Sequence, residues 1–257
     1  MAQQLRIRNP HSALAALETR PKDVTEILMT SAAGDAWEQV ARAAKSKGIR
    51  VGSGGGSSAS TDRGDHGRRG ERPTAGGRTS VAEAVIAERA GISVEELFAG
   101  ARDRAEGKGL WLALDSLQDP HNVGAIFRTA AFFGVEGILL TQERSAPLTA
   151  TVYDVACGGM EYIPFSIQTN LQRAFEKAKD AGLWILGSSE HANDTLDSIQ
   201  RDRPWLLVIG NEEKGMRRLT EESCDVLCRI PARGQVTSLN ASVASSILIS
   251  KLSGALS

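Results

Sequence analysis

From Gly109 onward the chain alternates between two hydrophobic patterns. Short unbroken apolar runs, Leu110-Trp-Leu-Ala-Leu114, Gly137-Ile-Leu-Leu-Thr141, Leu183-Trp-Ile-Leu186 and Trp205-Leu-Leu-Val-Ile209, are separated by stretches of helical spacing such as Leu171, Ala174, Phe175 and Ala178. A run that is apolar at every position fits a strand buried on both faces. Its alternation with amphipathic helices predicts a parallel sheet in an α/β layer fold over residues 109–257. Leu227-Cys-Arg-Ile230, ended by Pro231, reads as one more short strand, and the helix after it carries Val243, Ile247, Leu248 and Leu252, with Thr237 or Ser238 as its N-cap.

The N-terminal third has a different rhythm. Residues 11–18 offer a short helix and Val24–Thr30 a strand; Trp37, Val40, Ala41 and Ala44 mark a second helix that Gly48 ends, and Ile49–Val51 a second strand. This αβαβ unit over residues 1–51 is small for an independent core and reads as an appended domain. It extends to about residue 90 if Val85-Ile-Ala-Glu-Arg is a strand that closes it. Residues 52–79 are rich in Gly, Ser and Arg and bury almost nothing apolar, so a flexible linker or loop is expected. Arg63, Arg68, Arg69, Arg72 and Arg78 could touch RNA phosphates, but Asp62, Asp65 and Glu71 interleave with them, which leaves a solvated linker as the competing reading. Residues 80–108 read as a helical connector, with Val81, Val85 and Ile86 and a capping box at Ser93-Val-Glu-Glu.

Composition narrows function only by exclusion. With 41% hydrophobic and 24% charged residues and a formal net charge of −1 over 257 residues, any nucleic-acid argument must be local. No window is apolar enough to span a membrane, and the first residues lack a signal-peptide core, so a cytoplasmic protein is expected. Cys157, Cys224 and Cys228 show no paired spacing. Cys224 and Cys228 could share a helix face and bind a metal with a distant histidine, but they read better as small interior hydrophobes, and no metal is expected.

Candidate chemistry gathers in three polar clusters after apolar runs. Ligands of parallel sheets bind at the carboxyl ends of the strands, where loops turn into helices. The first cluster runs from Asp115 to Asn122 and leads into a helix carrying Ile126, Phe127, Ala130 and Ala131; Asn122 is a cap candidate, and Arg128, alone, would be a surface arginine. The second, Gly210-Asn-Glu-Glu-Lys-Gly215, fits neither a P-loop nor a dinucleotide fingerprint, and Glu212 and Glu213 could simply be first-turn helix carboxylates. The third is Val236-Thr-Ser-Leu-Asn240. Capping explains one of its hydroxyls but not Ser238 and Asn240 together, so the three clusters are expected to converge on one site.

These residues carry a resemblance. Asn-x-Gly-x-x-x-Arg at Asn122, Gly124 and Arg128, Gly-Asn-Glu-x-x-Gly at 210–215, and Ile-Pro-x-x-Gly-x-x-x-Ser-Leu-Asn at 230–240 resemble the three ordered motifs of the SpoU/TrmH family of SPOUT RNA 2′-O-ribose methyltransferases. Arg144-Ser-Ala-Pro-Leu-Thr-Ala, Val155-Ala-Cys-Gly-Gly and Gly215-Met-Arg-Arg-Leu-Thr look like the subgroup that methylates a guanosine ribose in 23S ribosomal RNA. The resemblance implies an α/β-knot domain, a trefoil knot that general topology rules disfavour, after a small L30e-like α/β RNA-binding domain. It implies S-adenosylmethionine as methyl donor, held by Gly210, Ile230, Leu239, Gly187 and Ser188, and a homodimer acting on ribosomal RNA. Asn122, Arg128, Glu212, Ser238 and Asn240 match the functional side chains. A guanidinium is almost always protonated, so Arg128 is expected to stabilise a developing alkoxide rather than act as base, with Glu212 orienting Arg128 or Asn122. Transfer RNA, a ribosomal site conferring antibiotic resistance, and a non-catalytic RNA-binding module are the competing readings.

Overall fold

The computed structural model describes residues 3–54, 81–104 and 108–255, in two compact units, Met1–Ala87 and Glu88–Ser257. Most of the Gly/Ser/Arg-rich stretch, with Arg63, Arg68, Arg69, Arg72 and Arg78, lies outside the described residues.

The first unit runs β1 (Gln4–Ile7), α1 (Pro10–Thr19), β2 (Val24–Met29), α2 (Asp35–Ser46), β3 (Arg50–Ser53) and β4 (Ala82–Ala87). Its sheet has the order β1-β4-β2-β3. β4 pairs antiparallel with β1 and β2, and β2 pairs parallel with β3. Two strands therefore join the αβαβ pattern, and of the two readings of this stretch residues 82–87 follow the strand that closes the first unit, not the helical connector. The sequence Ala-Glu-Ala-Val-Ile-Ala has good helix formers, but pairing on both sides overrides propensity. Its central place also buries Glu83, which Arg6 of the neighbouring strand pairs. Asn9 caps α1 ahead of Pro10, and Trp37, Val40, Ala41 and Ala44 are the buried side of α2, as their spacing predicts.

The second unit begins with α3 (Val94–Phe98), capped by Ser93, and α4 (Ala101–Arg104). It continues through β5 (Leu110–Leu114), α5 (Pro120–Phe133), β6 (Gly137–Thr141), α6 (Ala150–Ala156), α7 (Gly159–Tyr162) and β7 (Phe165–Gln168). Then come α8 (Leu171–Asp180), β8 (Trp184–Ser188), β9 (Asp194–Thr195), β10 (Trp205–Ile209), α9 (Arg218–Glu222), β11 (Val226–Arg229) and α10 (Ala241–Ser253). The seven strands form one sheet, β7-β6-β5-β10-β8-β11-β9, in which every pairing is parallel. All five residues of β5, β6 and β10 are buried, which is why these strands read as unbroken apolar runs. A hydrophobic cluster of Leu97, Phe98, Trp111, Leu139, Phe175, Ile185 and Leu206 joins α3 and α8 to the sheet, while α5 packs with α6, α7 and α10. α5 and α6 approach so closely that a Cβ on Gly124 would lie 2.7 Å from Val155 Cβ and 2.8 Å from the Val152 carbonyl. The glycine between Asn122 and Arg128 thus meets a packing demand.

Candidate active site

Asp119, ahead of Pro120 at the first helical position, accepts from the His121 N–H at 2.8 Å and caps α5. Asn122 is therefore not the cap its residue type suggested. It lies inside the first turn, buried, and its Nδ2 donates to Glu212 Oε1 at 2.9 Å. Two residues ninety positions apart meet where β5 and its neighbour β10 end.

Glu212 belongs to a turn, and α9 begins only at Arg218, so the helix-dipole reading of Glu212 and Glu213 does not hold. Asn211 and Gly215 exchange backbone hydrogen bonds at 2.9 Å each. Asn211 Oδ1 accepts from the Glu213 and Lys214 N–H groups, and its Nδ2 donates to Glu212 Oε2 at 3.2 Å and to the Ser116 carbonyl at 2.9 Å. The turn folds back tightly enough that a Cβ on Gly210 would come within 2.3 Å of the Gly215 and Met216 backbone. Only glycine fits there.

β10, β8 and β11 are consecutive in the sheet, with Val208 opposite Gly187 and Cys228 opposite Ser188. Gly210, Ser188 and Ile230 consequently mark the same carboxyl edge. Gly187 is buried, and an added Cβ would meet Leu227, Met216 and Cys224 side chains at 2.7–2.8 Å. Burial pushes the Cys224 and Cys228 thiols up to about 12, with the carboxylates of Asp225 and Asp194 adding to the effect.

Residues 231–240 are exposed at every position, including Ser238, Val236 at 77% and Leu239 at 50%. The cap of α10 is Asn240, not Thr237 or Ser238: its Oδ1 accepts from the Ser242 and Val243 N–H groups at 2.9 and 3.4 Å. Arg128 projects from α5 with an exposed side chain, and among the described residues no carboxylate pairs with it. The fold joins Asn122 to Glu212 by a hydrogen bond. It does not bring Arg128, Ser238 or Asn240 into that bond.

Sequence reasoning missed Asp115 and Asn211. Asp115 is completely buried and paired with Arg217. A carboxylate directly after five buried apolar positions was the available signal, since such a charge needs partners.

The SpoU rRNA Methylase family model matches residues 109–250. The chain is 45% identical over 171 residues to the 23S rRNA (guanosine-2′-O-)-methyltransferase RlmB of Pseudomonas aeruginosa, covering 66% of this chain and 69% of that one. It is 44% identical over 157 residues to the enzyme of the same name from Nitrosomonas europaea, covering 61% of this chain and 59% of that one. Among solved structures, the S-adenosylmethionine-bound rRNA methyltransferase from Sinorhizobium meliloti aligns with a TM-score of 0.73 at 19% identity, over 99% of this chain and 88% of that one. At that identity the likeness speaks for the fold.

Proposed function

The chain belongs to the SpoU rRNA methylase family, and we propose that it transfers a methyl group from S-adenosylmethionine to the ribose 2′-hydroxyl of a guanosine in 23S ribosomal RNA. The observation that carries the reading is the Asn122–Glu212 hydrogen bond, which links two of the three polar clusters at the carboxyl edge of a parallel sheet.

Gly210, Gly187, Ser188, Ile230 and Leu239 would hold S-adenosylmethionine. The adjacency of β10, β8 and β11 supports this, because their ends supply contiguous backbone donors and acceptors. Bound there, S-adenosylmethionine would supply an electrophilic sulfonium methyl for the ribose 2′-oxygen, with the thioether as leaving group. The chain's contribution is placement and charge. The exposed Arg128 guanidinium stabilises the developing alkoxide and an adjacent phosphate, and the hydroxyl proton passes to a base other than Arg128, since a guanidinium is a poor proton acceptor. Glu212 fixes the Asn122 amide, Ser238 reaches the ribose from the open segment, and Asn240 holds the start of α10 beneath it.

The reading includes a homodimer and a trefoil knot formed by the segment after β11. Exposed Phe132 at 82%, Val243 and Ile247 on the packed pair α5 and α10 support the dimer, because an apolar group of that kind marks an interaction surface. The first unit acts as an L30e-like RNA-binding domain, and the protein works in the cytoplasm. No helix among the described residues is long and apolar enough to cross a membrane.

Two measurements test this. Calorimetric titration should show S-adenosylmethionine binding to the full chain. Mapping of 2′-O-methyl positions in total RNA from cells with and without the protein should show loss of one 2′-O-methylguanosine in 23S RNA; loss from transfer RNA would overturn the substrate, and no binding would overturn the activity.

A further inference from the structure

β5 is apolar along its whole length, yet the next two residues do what no packing demand requires. Asp115 is a fully buried carboxylate, and Ser116 is a non-glycine residue in the left-handed region at φ 63°. A buried charge persists only where its partners are good, and left-handed backbone at a serine only where its surroundings hold it. The loop after β10 supplies partners to both residues, with Thr141 of β6 holding the Ser116 N–H as well.

Asp115 Oδ1 forms an ion pair with Arg217 Nε at 2.7 Å and accepts from its neighbour Ser116 Oγ at 3.0 Å, and Oδ2 accepts from the Arg217 backbone N–H at 3.1 Å. The bend at Ser116 turns its carbonyl to Asn211 Nδ2 at 2.9 Å, while its own N–H donates to Thr141 Oγ1 at 3.0 Å, at the end of β6. The loop is thus tied at both of its ends, Asn211 and Arg217, to two consecutive residues of one strand end. Between those ties lie Glu212, which holds Asn122, and the turn that folds onto Gly210.

We propose that Asp115 is a positioning residue: through Arg217 it locks the loop over residues 210–217 at the height where its backbone meets S-adenosylmethionine and its Glu212 meets Asn122. This rests on the cofactor assignment made above. Asp115 itself, buried beneath the loop, touches neither cofactor nor RNA.

The test compares wild type, Asp115→Asn, Arg217→Ala and Arg217→Lys in the full chain, with S-adenosylmethionine affinity measured by calorimetry on the folded fraction and Tm in parallel. Asp115→Asn and Arg217→Ala should each weaken S-adenosylmethionine binding by about tenfold or more, and Arg217→Lys should recover part of the loss. Lower Tm with unchanged affinity in the folded fraction would mean a merely structural role and overturn the inference. If Asp115→Asn does not fold, Arg217→Ala decides, because the arginine side chain is partly exposed at 41% and its truncation is tolerable. Wild type that binds no S-adenosylmethionine overturns the cofactor reading itself, whereas wild type that binds beside variants that bind equally well overturns only the role of Asp115.

Discussion

Asn122 with its partners and the stretch 231–240 lie in motifs of one family, and they are built on opposite terms. Around Asn122 polar side chains bond within the chain: Asn122 to Glu212, Asn211 to Glu212, and Asn211 to the Ser116 carbonyl. In 231–240 every residue is open to solvent, and the one side chain with a settled task, Asn240, points along its own helix. The closed region is set before any ligand arrives. The open one receives its partners from cofactor, RNA or a second copy, so substitutions should cost stability in the first and binding or rate in the second.

The largest expected effect comes from Arg128, exposed although it lies on the helix of the closed region. Arg128→Ala should lower kcat by about 10²–10³-fold, as removal of a charge-stabilising donor does, while calorimetry shows S-adenosylmethionine affinity unchanged within about twofold. Near-normal turnover would remove Arg128 from the chemistry.

Glu212→Ala breaks the closed region directly. It leaves the buried Asn122 amide without its carboxylate, and urea unfolding should show a loss of about 1–3 kcal/mol, together with reduced turnover. A loss as small as that of an ordinary surface substitution would mean the pair is not structural.

Within the open region the two polar side chains should separate. Asn240→Ala removes a helix cap and should cost about 1 kcal/mol, restored by Asn240→Asp, which caps equally well. Ser238→Ala should change stability by no more than about 0.5 kcal/mol and show its effect only as weaker RNA binding or slower transfer. A destabilising Ser238→Ala would erase the distinction.

The smallest effect sharpens where the closed region ends. Cys228 lies two residues before Ile230 and, like Cys224, has its thiol raised from 9.0 to about 12 by burial. A raised thiol pKa favours the neutral folded form, so this contribution is fully present below pH 9 and is lost as pH rises toward 12. Maleimide at neutral pH should therefore label both thiols in urea and leave them unlabelled in the native protein.

Which parts could be read from the sequence follows from how locally each feature is specified. The runs at 110–114, 137–141 and 205–209 announce buried parallel strands because burial on both faces leaves almost no polar position, Thr141 at the end of β6 being the exception. β4 is ambiguous because Val85 and Ile86 suit a strand while its alanines and Glu83 favour a helix, and only pairing with β1 and β2 makes it extended. Caps are ambiguous when capable residues crowd together: Asp119 and Asn122 compete at α5, Thr237, Ser238 and Asn240 at α10, and Pro120 was the unused clue for the first. Asn122 and Glu212 were each legible as candidates, since polar residues after apolar runs need a reason. That they bond to each other depends on β5 and β10 being neighbours, which no local pattern encodes.

The most direct test of the account is methyl transfer itself. Purified protein is incubated with labelled S-adenosylmethionine and protein-free 23S ribosomal RNA, and the RNA is then digested to nucleosides. The account predicts that the label appears as 2′-O-methylguanosine; label on a nucleobase, or none in RNA while a known ribose methyltransferase labels the same preparation, would contradict it.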